Sequence, residues 1–85
     1  MSLHLVFNSA GFNACQQRML SADPIILLGD GVYSADASSE QNIYILALDA
    51  QVRGVILDPS QFNLIDYDAF VALTAAHLPV VSWAE

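Results

Sequence analysis

The sequence predicts an α/β domain: a three-layer arrangement in which a mainly parallel sheet of about five short strands lies between helices. Three observations predict it. Residues 25–28 and 43–48 are apolar throughout, as strands buried on both faces are. Stretches with helical spacing separate such runs, and residues 67–78 are the clearest of them. Strands that alternate with helices in this way form a parallel sheet covered on both faces.

Residues 3–7 form a short apolar first strand. Asn8 and Ser9 are helix-capping residue types, and Gly11 is expected in the turn. Over 12–20, Phe12, Gln16, Met19 and Leu20 share one helical face, with Cys15 on its flank. Asp23-Pro24 ends that helix, because a residue before proline is driven out of helical geometry. The second strand, 25–28, follows between Pro24 and Gly29. Gly29-Asp30-Gly31 then makes a tight turn in which Asp30 can serve as a cap, and 32–35 begin a short helix or turn before a polar loop at 36–42.

The third strand is 43–48. Asp49 is expected to cap a single helical turn over 50–53, closed by Gly54 in the left-handed position. Residues 55–57 fit a buried connector or a short strand, and Asp58-Pro59-Ser60 is a turn. A fourth strand over 62–65 leads to Asp66, the cap of helix 67–78. On that helix Tyr67, Phe70, Val71, Thr74 and Leu78 form the inward stripe, with Asp68, Ala72 and Ala76 opposite. Pro79 stops it, and 80–83 form a terminal strand. No repeat, linker or low-complexity segment interrupts the pattern, so residues 1–85 read as a single domain.

Composition is unusual for so small a domain. Hydrophobic residues make up 55% and charged residues 13%, against about 45–50% and about 25% in typical soluble domains. A short chain has much surface per unit volume and needs more polar cover, not less. The surplus apolar surface therefore points to a buried subunit interface. Nine acids against Arg18 and Arg53, with no lysine, give a net charge of −7. Such a surface repels phosphate backbones and anionic membranes and favours a basic partner. The start of the chain lacks the features of a signal peptide, and no apolar run approaches the ~20 residues of a membrane span. One cysteine can form neither an internal disulfide nor a multi-thiolate zinc site. A cytoplasmic location is expected.

Few residues suggest chemistry. Cys15 is a candidate nucleophile, with Arg18 at i+3 as the cation that could favour its thiolate. Its position beside the apolar stripe equally suits a packed, inert cysteine. His4 and His77 stand far apart, in no metal-ligand spacing, and the structural reading is preferred for both. Gly29-Asp30-Gly31 lies where open α/β sheets bind ligands, yet it is no dinucleotide fingerprint, and a chain without lysine has no P-loop. No cofactor or metal is expected. Tyr33, Tyr67 and Trp83 are interface-prone residue types, with Trp83 the first choice as an anchor.

Four stretches carry a resemblance to a known family: Leu3-His4; Ile26-Leu27-Leu28-Gly29-Asp30-Gly31-Val32-Tyr33-Ser34-Ala35; Ile65-Asp66-Tyr67-Asp68-Ala69-Phe70-Val71 followed by Leu73-Thr74; and Ser82-Trp83. In this order they resemble the DsrH/TusB family of sulfur-relay proteins. Ala69 departs from a frequent family glycine, and the middle segment that follows the second stretch, up to Asn42, matches nothing in the pattern. The resemblance implies a Rossmann-like (DsrE-like) fold and a place in a hetero-oligomeric complex with homologous TusC/DsrF-like and TusD/DsrE-like subunits. It further implies persulfide sulfur transfer, in the Tus branch towards 2-thiolation of the wobble uridine of certain tRNAs, with the principal acceptor cysteine on the TusD/DsrE subunit. Cys15 matches the place where DsrH-type members carry their own cysteine, as an accessory persulfide carrier. The rival readings are an independent thiol-dependent sulfurtransferase using Cys15, and a self-associating binding domain without catalysis.

Overall fold

The computed structural model describes residues 2–18, 23–37, 42–76 and 79–84. In chain order the elements are β1 (Leu3–Val6), α1 (Ser9–Arg18), β2 (Ile25–Leu27), a 3₁₀ segment (Gly29–Ala37), β3 (Ile43–Leu46), α2 (Ala47–Val52), β4 (Asn63–Ile65), α3 (Tyr67–Ala76) and β5 (Val80–Trp83). The strands form one sheet in the order β4-β3-β2-β1-β5, and every pairing is parallel. From β1 to β4 each connection steps the same way along the sheet. Right-handed crossovers then put α1, the 3₁₀ segment and α2 on one face, where they touch side by side. The return from β4 to β5 runs across the whole sheet, and the same rule lays α3 on the other face.

Central position explains the continuous apolar run of β2. Ile25, Ile26 and Leu27 are all buried between β1 and β3, one side chain to one face and the next to the other. The core joins Val6 of β1, Ile25 and Leu27 of β2, and Ile45 of β3 to Phe12 and Cys15 of α1 and to Val32 of the 3₁₀ segment. Asn8 caps α1 by accepting the Gly11 N–H at 2.6 Å, and Asp66 caps α3 by accepting the Ala69 N–H at 2.8 Å. At the end of α2, Gly54 (φ 71°) donates to the Gln51 carbonyl at 3.1 Å and Val55 to the Ala50 carbonyl at 2.9 Å. This pair of bonds closes a Schellman motif, as the glycine predicts.

Four local expectations change. Gly11 lies inside α1 rather than in a turn, because the helix begins at Ser9. A Cβ there would meet the Trp83 backbone, so the glycine serves close packing of helix on strand. On α1 the buried residues are Gly11, Phe12 and Cys15, while Gln16 is exposed. β3 ends at Leu46, and Ala47 and Leu48 belong to α2, which has no side-chain cap. The apolar run continues past the strand because Leu48, on the outer side of α2, is itself apolar and exposed. On α3, Tyr67 and Val71 face outward, and the more sheltered positions are Ala69, Phe70, Leu73 and Thr74. Not one residue of that helix is fully buried. Residues 55–57 are a connector rather than a strand. Met19, Leu20, His77 and Leu78 lie outside the described residues.

Candidate functional site

Among the described residues, two polar constellations and two apolar patches are the candidate places where this fold can act. The first constellation surrounds Cys15. Parallel pairing aligns His4 of β1 with Ile25 of β2 and with Val81 of β5, which brings Asp23 and Trp83 to opposite sides of the imidazole. His4 Nε2 is 2.9 Å from Asp23 Oδ2, with both side chains buried. Trp83 Nε1–H donates to His4 Nδ1 at 3.0 Å. An indole nitrogen only donates, so Nδ1 must offer a lone pair and Nε2 must carry the proton given to Asp23. The donor inventory thus defines a neutral imidazole in its Nε2–H tautomer.

Arg18, expected to favour the Cys15 thiolate, lies over the Trp83 ring, with Cζ 6.0 Å from the centroid. Cys15 itself has 0% exposure. Burial first, and the Asp23 charge second, push its thiol up to about 11 from 9.0. The attacking form of cysteine is the thiolate, so at neutral pH this sulfur rests as a thiol. Trp83, the expected interface anchor, is tied inward by its bond to His4 and packs against the core. No local signal joined His4, Asp23 and Trp83 in the sequence, since the two bonds span 19 and 79 residues.

The second constellation sits at the C-terminal end of β2. Leu28 N–H donates to the Val6 carbonyl at 3.1 Å, and Gly31 comes so close to the Val6 carbonyl that a Cβ would overlap it. Gly29 takes a left-handed φ of 56°, and its N–H donates to Asp49 Oδ2 at 2.7 Å. Asp30, expected as a cap, accepts from Arg53 Nε at 2.9 Å, which pushes the Arg53 guanidinium up. Arg53 also reaches the Asp49 carbonyl at 3.3 Å. The polar groups of this corner satisfy one another and place two carboxylates where a phosphate would bind. Its role is to fasten α2 to the sheet end. Among the described residues no cluster of His, Cys, Asp or Glu could hold a metal ion.

The apolar patches lie on the flanking helices. On α2, Leu48 and Val52 are exposed one turn apart, and Ile56 is exposed on the connector that follows. On α3, Tyr67 and Val71 are exposed in the same i, i+4 relation, and Tyr67 stacks at a tilt on Phe70 with 5.8 Å between centroids. Clustered exposed apolar side chains of this kind mark interaction sites. No helix among the described residues is long and apolar enough to cross a membrane.

Comparison with known proteins gives one family and one fold. A family model described as DsrH like protein matches residues 6–80. No curated protein matches the chain. Among solved structures, the solution NMR structure of protein Tm0979 from Thermotoga maritima matches with a TM-score of 0.66. The match covers 89% of this chain and 93% of that one at 24% identity, and at that identity the likeness is one of fold.

Proposed function

The chain belongs to the DsrH-like family, whose members are subunits of sulfur-relay assemblies, and from that premise we propose that it works in the cytoplasm beside TusC/DsrF-like and TusD/DsrE-like subunits. In this reading the assembly passes persulfide sulfur towards 2-thiolation of the tRNA wobble uridine, and this chain supports the transfer rather than catalysing it alone. The observation that carries the reading is the exposed apolar surface of α2 and α3, which suits a chain that is covered by neighbours. The resting state of Cys15 agrees with an accessory part. Its sulfur is buried and its thiol is held well above the ordinary value, whereas an independent sulfurtransferase needs an exposed thiolate.

Co-expression with TusC-like and TusD-like subunits, followed by sizing and native mass spectrometry, is expected to give a stable hetero-oligomer. A chain that stays monomeric in their presence would overturn the reading. Loss of 2-thiouridine from tRNA on deletion of the gene tests the direction of sulfur flow, and intact thiolation would turn the proposal towards sulfur oxidation. Cys15 takes part as a persulfide carrier if α1 lifts from the sheet, so that its thiolate attacks the terminal sulfur of a donor persulfide and the donor leaves as a thiol. A mass gain of about 32 Da, one sulfur atom, that vanishes in Cys15→Ser is the signature of that step.

A further inference from the structure

We propose that the α2 edge of the molecule holds a basic-rimmed protein subunit, one apolar side chain of which sits in the pocket between α2 and the connector 55–57. This rests on the subunit reading above and assigns it a surface.

The patch is built, not incidental. Leu48 and Val52 are 63% and 73% exposed, and Ile56 is 96% exposed. The Schellman bond from Val55 to Ala50 fixes the chain leaving α2. Val55 and Leu57 then pack against the core, and the alternation of an extended segment turns Ile56 outward between them. Beside it opens a pocket of ≈ 340 Å³ with Ala47, Ala50, Val55, Ile56, Leu57 and Leu64 among its walls. Those walls offer no acid, base or nucleophile, so the pocket suits an apolar anchor rather than a reacting substrate.

Charge selects the occupant. Asp49 of α2 and Asp58, directly after the connector, flank the patch in the chain, and Arg53, the one cation between them, is already engaged by Asp30. The other guanidinium, Arg18, stacks on Trp83 of β5, at the opposite edge of the sheet. A second copy would bring a net charge of −7 against −7, which opposes self-association. A different chain, with lysine or arginine around an apolar centre, meets the acidic rim and the pocket together.

The test compares the Val52→Glu/Ile56→Glu double variant with a charge-matched Gln16→Glu/Gln17→Glu control on α1. All four side chains are exposed, so both variants should keep the wild-type melting temperature. Affinity for the TusC-like and TusD-like subunits should fall about 30-fold or more in the α2 variant, as it does when a central anchor is lost, and persist in the α1 control. An α2 variant that assembles like wild type overturns the proposal. So does a wild-type homodimer that the α2 substitutions break, which would make the occupant a second copy. A second readout does not depend on those subunits: an amphipathic peptide of leucine and lysine, titrated into ¹⁵N-labelled chain, should shift amides clustered at 47–57. Shifts that scatter, or that gather at 67–76, overturn the assignment. If wild type ignores the subunits while peptide shifts still cluster at 47–57, the relay reading falls and the surface stands.

Discussion

Gly11→Ala sets two physical effects of opposite sign against each other. Alanine in a helix interior is favoured over glycine by about 1 kcal/mol, and Gly11 has no positive φ to lose. Propensity alone therefore predicts a more stable protein. The packing predicts the reverse. A Cβ at this position would overlap the Trp83 carbonyl oxygen and lie 2.9 Å from the carbonyl carbon. Both atoms are backbone, so no rotamer change relieves the contact, and either α1 or β5 must move. Overpacking of this kind costs about 1–3 kcal/mol, and a backbone obstacle argues for the upper end. Subtracting the propensity gain leaves a net loss of about 2 kcal/mol, a fall in melting temperature of roughly 8–16 °C for a domain of this size. Urea unfolding followed by fluorescence measures it directly, because Trp83, the one tryptophan, reports on the same contact. A variant as stable as wild type, or more stable, would refute the packing argument.

Two further outcomes follow from the polar network. Trp83→Phe keeps an aromatic ring, though a smaller one, and removes the donor to His4 Nδ1, leaving a buried acceptor unmet. It should cost about 1–3 kcal/mol in urea unfolding, and a change below about 0.5 kcal/mol would show that the bond carries no weight. For Cys15, the folded thiol holds its proton to about 11 where the ordinary value is 9.0. Between these values the native state binds more protons than the unfolded one, so stability must fall as pH rises through that window. Two units correspond to roughly 2–3 kcal/mol. Alkaline denaturation curves should show this slope in wild type and lose that part of it in Cys15→Ala; identical slopes would sink the argument.

Much of the fold was legible because it is written locally. The continuous apolar run at 25–28 announced a strand buried on both faces, while Asp66 announced the start of α3 and Gly54 the end of α2 through contacts within a few residues. The failures share a physical cause. Gly11 looks like a turn residue until the strand that crosses it is known. Residues 47 and 48 extend an apolar run, and only the exposure of Leu48 shows that they line the outside of a helix. The stripe on α3 was rotated because Tyr67 and Val71 are as apolar as core residues while facing out. A surface meant for a neighbour reads as core when the neighbour is not in the sequence. The composition signal of excess apolar content was the general form of this fact, and the α2 and α3 patches are its location. The environment of Cys15 was illegible for another reason: Asp23 and Trp83 reach His4 from distant parts of the chain, and no spacing rule encodes them.

The pairing of β1 with β5 also has a history in time. β1 is made first, yet the partner for one of its two edges is Val80–Trp83. On a ribosome, β1, β2 and β3 can align while that edge still shows unpaired N–H and C=O groups beside the apolar Leu3 and Val6. The gap closes only after Val80–Trp83 has emerged, by a contact of long sequence separation, which is the kind that slows folding. A nascent chain stalled before residue 80 would present an open strand edge to any neighbouring strand. Its hazard is intermolecular sheet pairing, so prompt synthesis of β5 protects this protein before any bond to that strand has formed.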